Sequence, residues 1–263
     1  MRALRCDDGV QLVQAPPPMP GPGEALIRVL TAGICNTDLE LARGYMKYRG
    51  ILGHEFVGIV ETAPTNELVG RRVVGEINCV CHECVYCRME MPHHCLNRTV
   101  LGILGRDGAF AEYVVLPEEN LHVVPNGLRD DEAAFAEPVA AACRIPEQLT
   151  VLESDRVIVL GDGKLAQLIA QVLALYTKNL LVIGKHTWKL AKLNALKINT
   201  VLTSDPVERG ADIVVEATGS PSGLARAFEL VRPEGTVVLK TTSAHPTALD
   251  LSIPVVNEVR IVG

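Results

Sequence analysis

Between Gly33 and Gly58 the chain reads GICNTDLELARGYMKYRGILGHEFVG, a loop-rich stretch that carries a thiol, Cys35, and an imidazole beside a carboxylate, His54 and Glu55. These are zinc-ligand types. Zn²⁺ takes thiolate, imidazole and carboxylate in a tetrahedral shell, and a catalytic ion keeps one position open for water or substrate. Thr37 adds a hydroxyl able to accept a proton, and Asp38 a carboxylate able to orient a ligand histidine from behind. Taken singly, a cysteine in such a chain is more often a small buried apolar residue than a ligand. Only the combination suggests a metal.

A second cluster, CHECVYCRMEMPHHC, spaces Cys81, Cys84, Cys87 and Cys95 as C-x2-C-x2-C-x7-C. Four thiolates joined by loop residues can close around one Zn²⁺ and leave it no open position, so this is expected to be a structural site. Cys79 is left over, and His82, His93 and His94 are expected to be solvated loop residues.

Short strands must position both clusters. ALIRVL from Ala25, FVGIVE from Phe56, RRVVGEI from Arg71, AFAEYVVL from Ala109 and LHVVP from Leu121 are apolar runs broken by Gly and Pro. They predict a β-barrel-like domain. From Asp131 the Ala-rich DEAAFAEPVAAACRIPEQL predicts a helix, with Pro138 in its first turn and Pro146 as a kink or stop. Glu137, near its start, is either a third oxygen ligand or a plain helix-terminal glutamate. The domain boundary is expected near Thr150, giving domains 1–149 and 150–263.

The second half is of another kind. Val157 to Leu160 is a continuous apolar run, as in a strand buried on both faces. It leads into Gly161-Asp162-Gly163-Lys164-Leu165-Ala166 and an apolar helical pattern. G-x-G-x-x-A between a buried strand and a helix is a dinucleotide-binding signal: the glycines permit a tight turn, and the helix N-terminus faces a pyrophosphate. Further buried strands are expected at 180–183, 212–215, 236–239 and 259–262, so the domain is a doubly wound α/β sheet. An NAD site usually carries an acid about 20 residues beyond the glycines to hold the ribose 2′-hydroxyl. Here the run is Ile183-Gly184-Lys185-His186, with cations where the acid would stand. That favours NADP over NAD.

Composition narrows the function classes. The 263 residues are 48% hydrophobic and 21% charged with a net charge of −6, which fits a globular chain and suggests neither a nucleic-acid surface nor a polybasic membrane patch. No apolar run approaches the roughly 18 residues of a membrane span, so a cytoplasmic protein is expected. Five of the eight cysteines lie between Cys79 and Cys95, which indicates metal binding rather than disulfides.

Together these residues resemble the zinc-dependent medium-chain dehydrogenases, the family of alcohol, sorbitol and threonine dehydrogenases. The carriers are GICNTDLE (Gly33 to Glu40), GHEFVGIVE (Gly53 to Glu61), the four-cysteine lobe, AEPVA (Ala136 to Ala140), the glycine loop and EATGSPSGL (Glu216 to Leu224). The resemblance implies a GroES-like catalytic domain followed by a Rossmann domain. It implies two zinc ions per chain: a catalytic one on Cys35, His54 and Glu137, with Glu55 able to enter the shell, and a structural one on the four cysteines. Thr37 takes the substrate's proton, Asp38 supports the histidine, and Gly161, Gly163, Lys164, Leu165, Gly184, Lys185, His186 and Thr218 meet the cofactor. Some relatives carry a relay histidine where this chain has Glu40. The implied activity is reversible oxidation of a secondary alcohol or polyol, in a homo-oligomer (dimer or tetramer) that binds no nucleic acid or membrane. Alternatives are a zinc-free reductase-type relative and a non-enzymatic NADP-binding protein that keeps only the structural zinc. Relatives continue through a further helix and a return strand, whereas this sequence stops at Ile261-Val262-Gly263. A chain of this length is therefore expected to be poorly stable, melting below about 60 °C.

Overall fold

In a computed structural model, which describes residues 1–7, 9–241 and 250–263, the chain divides into two units, Met1–Glu137 and Pro138–Gly263. The expected boundary near Thr150 lies 12 residues beyond Pro138, and the intervening helix explains the difference. Ala136–Gln148 buries Ala142 and Ile145 in the core of the second unit, so the helix belongs there by packing. Pro146 does not stop that helix; it lies inside it, in the last turn before Gln148. The Ala-rich run is also not one helix, because a short turn, Asp130–Ala133, precedes it.

The first unit is built on a five-stranded antiparallel sheet in the order Tyr113–Pro117, Glu24–Gly33, Glu55–Thr62, Arg72–Gly75, Leu121–Val123. Alternation sorts its side chains. Ile27, Phe56, Val60, Val73, Val114 and Leu116 form one core, while Val57 and Val124 meet Ala133 and Ala134 on another side. At about 1.5–3 kcal/mol for each large apolar side chain buried, these strands hold their register firmly. Two three-stranded sheets complete the unit, one of them formed by Asn78–Cys79, Thr99–Leu101 and Gly105–Arg106 at the base of the cysteine lobe.

The second unit is a six-stranded parallel sheet ordered Asn199–Leu202, Leu180–Gly184, Val157–Leu160, Ala211–Glu216, Val231–Leu239, Arg260–Val262. By sequence this is 3-2-1-4-5-6, the doubly wound order. The central strand shows why: Val157 and Val159 enter one apolar cluster, Ile158 and Leu160 the cluster on the other face. The helix Lys164–Leu173 covers the first face with Ala166, Ile169, Ala170 and Leu173. Among the described residues, no helix is long and apolar enough to cross a membrane.

Candidate active site

Sheet register assembles the first cluster. Gly33, the last residue of one strand, pairs with Glu55, the first of its neighbour, so the chain just past the former meets the chain just before the latter. One ligand atom each from Cys35, His54 and Glu55 lies within 4.8 Å of the others. His54 and Glu55 are buried, and Cys35 is half-buried.

Asp38 ties the cluster together. It is buried on the helix Asn36–Ala42, its Oδ2 accepts the N–H of Cys35 at 2.8 Å, and its Oδ1 accepts the N–H of Gly53 at 3.2 Å. One carboxylate thus bonds the backbone at or beside two of the prospective ligands. Its Oδ1 is also 3.2 Å from Nδ1 of His54, yet the pair is not aligned for a hydrogen bond, and Nδ1 is a buried atom without a satisfied partner. We read the contact as electrostatic steering of the ring. Thr37 Oγ1 stands 3.6 Å from the Cys35 sulfur.

Gly53 fits here because nothing else does. Its φ is +97°, and a Cβ there would lie 2.4 Å from the ring of Phe110. From the other side its carbonyl would be 2.4 Å from a Cβ at Gly102 and 2.3 Å from one at Gly108.

The field of the cluster is strongly negative. Burial works against a charged His54, but the close approach of Asp38 and Cys35 and the charges of Asp38 and Glu137 outweigh it and push the imidazole up to about 10. Glu137 is pushed up by burial and by Glu55 and Asp38, with His54 opposing. Its carboxylate acts on the cluster electrostatically but lies outside the group of three mutually close ligands. A thiol, an imidazole and a carboxylate with one ligand atom each mutually close are a donor set that a divalent cation fits.

In the lobe, Cys81, Cys84, Cys87 and Cys95 bring their sulfurs within 4.8 Å of one another. The Cys84–Cys87 and Cys81–Cys95 sulfur pairs are each 3.5 Å apart, far beyond a disulfide. A tetrahedral ion with Zn–S bonds of about 2.3 Å spaces its sulfurs about 3.8 Å apart, so these four fit one. Backbone N–H groups of Cys87 and Leu96 hold the Cys84 thiol down at about 6, while desolvation and the neighbouring thiols push Cys87 up to about 12. His82 pairs with Glu119 at 2.7 Å, and His93 approaches Glu76 at 3.7 Å; both side chains are exposed.

In the second unit Gly161 has φ +121°, and a Cβ there would lie 2.5 Å from the carbonyl of Ala217, so the turn can press against the adjacent strand end. Gly163 precedes the helix as its N-cap, and a Cβ there would meet nothing within 4 Å. That open approach to a helix N-terminus suits a pyrophosphate. Lys164, Lys185, His186 and Thr218 are exposed, Leu165 is half-buried, and Gly184 is buried at the end of its strand. Thr218 N–H and Oγ1 donate to Glu216, at 2.8 and 2.5 Å. Two residues escaped the sequence reading. Asp162, buried between the glycines, bonds the end of the neighbouring strand, and Glu216, also buried, accepts a hydroxyl from Thr241 besides those of Thr218. The available signal was an acid directly after an apolar strand, where an idle carboxylate would be costly.

Comparison with known proteins agrees with this architecture. Residues 21–126 match the alcohol dehydrogenase GroES-like domain. The L-threonine 3-dehydrogenase of Bacillus subtilis (strain 168) is 32% identical over 97% of this chain and 80% of its own length. The crystal structure of a protein described as a short chain alcohol dehydrogenase (rspB) from Escherichia coli CFT073, in complex with NADH, superposes with a TM-score of 0.90 at 27% identity, covering 100% of this chain and 82% of that one. A Sinorhizobium meliloti 1021 protein bound to NADP gives 0.89 at 26%, covering 100% and 83%. The alcohol dehydrogenase TADH from Thermus sp. ATN1 gives 0.88 at 29%, covering 100% and 84%. The chain belongs to the medium-chain dehydrogenase/reductase family, a family of nicotinamide-dependent dehydrogenases.

Proposed function

We propose that this dehydrogenase is zinc-dependent and moves a hydride between a secondary alcohol or polyol and NADP. The observation that carries the reading is the convergence of Cys35, His54 and Glu55 with Asp38 behind them. Those three residues, with Glu137 as an alternative carboxylate, would hold the catalytic ion, and Cys81, Cys84, Cys87 and Cys95 a structural one. When bound, zinc supplies Lewis acidity at the substrate oxygen and the nicotinamide cofactor accepts or returns the hydride.

The chain's own part is positioning and proton handling. Thr37 Oγ1, beside the Cys35 sulfur, accepts the proton of the substrate hydroxyl. Asp38 fixes the backbone at Cys35 and Gly53 and steers the His54 ring, so the site is set before substrate arrives. Glu40, bonded to Arg43 at 2.7 Å, stands where some relatives have a relay histidine, so the proton's exit runs by another route. The Gly163 helix N-terminus receives the pyrophosphate, and Lys185 and His186 receive the 2′-phosphate, which favours NADP over NAD. We place the enzyme in the cytoplasm as a homo-oligomer, dimer or tetramer, a state that sedimentation measures directly.

Zinc content per chain is the test, with wild type beside Cys35→Ser and Cys84→Ser. Two ions falling to one in Cys35→Ser, with turnover of secondary alcohols lost and NADPH binding kept, is the expected result. Normal kcat in Cys35→Ser sinks the zinc mechanism.

A further inference from the structure

The strand Leu180–Gly184 ends without the acid of an NAD site, but an acid stands there all the same. Asp162, from the turn Gly161–Gly163, reaches across to it. A Cβ on Gly184 would lie 2.7 Å from the Asp162 Cβ and 2.9 Å from its Oδ2, so Asp162 fills the space that a side chain at the strand end would need. Its Oδ2 accepts the N–H groups of Lys185 and of His186, each at 2.7 Å. Nδ1 of His186 is 3.0 Å from Oδ2 and 3.1 Å from Oδ1, and Lys189 Nζ is 3.7 Å from Oδ1.

Two roles are open to such a carboxylate. A ribose reader must present free oxygens to solvent, and Asp162 does the opposite: its side chain is 8% exposed and both oxygens are engaged by donors of the protein. What it does hold is a set of cations. The His186 ring is 49% exposed, and with Nδ1 turned to Asp162 its Nε2 has no internal partner among the described residues. Lys185 is exposed beside it, and Lys189 lies over the face of Trp188 at 5.4 Å.

We infer that Asp162 is a positioning residue for the 2′-phosphate of NADP, clamping the Lys185–His186 backbone and turning the His186 ring so that Nε2 faces the ligand. Fixing the ring in advance lowers the ordering cost of the charge-assisted bond to phosphate. The inference rests on the NADP reading above, and it adds that selectivity depends on a residue that does not itself touch the phosphate.

The test needs no turnover. Adenosine 2′,5′-bisphosphate and AMP are titrated calorimetrically into the zinc-loaded full chain of wild type, Asp162→Asn, His186→Gln and the double variant. Wild type should bind the bisphosphate more tightly. Each single variant should cut that preference by about tenfold, the worth of one hydrogen bond to a charged group, with AMP affinity kept within about twofold. The double variant should lose no more than His186→Gln alone, since one residue acts through the other. A preference unchanged or increased in Asp162→Asn, or AMP affinity falling as far as that of the bisphosphate, overturns the inference while leaving the NADP reading intact. Should Asp162→Asn fail to fold, an unchanged preference in His186→Gln overturns it equally. Wild type preferring AMP sinks the NADP reading and the inference with it.

Discussion

Thr37 and Asp38, two and three residues beyond the same thiol, should fail in different ways. Removing the Asp38 carboxylate frees the backbone at Cys35 and Gly53 and releases the His54 ring. Asp38→Ala should weaken zinc binding at this site by about 10–100-fold, measured by competition with a chromophoric chelator, while the cysteine lobe keeps its ion. Thr37→Val should instead retain both ions and lose about 10²–10⁴-fold in kcat, because only a proton acceptor has gone. Equal zinc loss in both variants would dissolve the distinction. The clustering of Cys35, His54 and Glu55, and of the four lobe cysteines, was legible in the sequence because thiols and imidazoles at such spacing stand out by residue type. Asp162 was not, because a carboxylate in the variable position of G-x-G declares nothing until the neighbouring strand end is seen to supply its donors.

Elements test the backbone rather than the chemistry. Two glycines make opposite predictions. Gly53→Ala forces a side chain into positive φ and against Phe110, at a cost of about 1–3 kcal/mol for the backbone alone, and should lower the melting temperature of the first unit by several degrees. Gly163→Ala meets no neighbour, so it should fold like wild type yet lose dinucleotide affinity, because the new methyl stands where the pyrophosphate approaches. A Gly163→Ala chain that binds NADPH normally would show that the cofactor takes another path. The buried strands were legible, since an all-apolar run such as Val157–Leu160 leaves little choice. Asn199–Leu202 was missed: as the sheet's edge it is partly exposed and lacks a continuous apolar run. Of the two readings of Pro146 the stop fails, because packing of Ala142 and Ile145 outweighs the one hydrogen bond a proline removes.

At the scale of the molecule, acid should act on the second unit through its depressed carboxylates. Burial alone would raise Asp212, but bonds from Arg232 at 2.7 Å and from the Arg156 N–H at 2.8 Å hold it below its ordinary value, and Asp162 is held down likewise by its N–H and His186 partners. A folded-state pKa below the unfolded one contributes stability above the unfolded value of about 3.9, lost as pH falls through the folded value. Melting temperature should therefore be level near neutrality and decline below about pH 4, with a shallower decline in Asp212→Asn. An equally steep decline in that variant would assign the acid sensitivity elsewhere. The order of strands in the first unit has a consequence for synthesis as well. Both outer strands of its five-stranded sheet, Tyr113–Pro117 and Leu121–Val123, are the last of the five to be made. On the ribosome, where elongation runs at about 5–20 residues per second, the strand Glu24–Gly33, once paired with Glu55–Thr62, waits on the order of several seconds for its other neighbour, Tyr113–Pro117. For that interval the nascent chain carries Cys35 on an unfinished sheet, so on the proposed zinc reading metal supplied during translation should give more correctly folded protein than metal added afterwards.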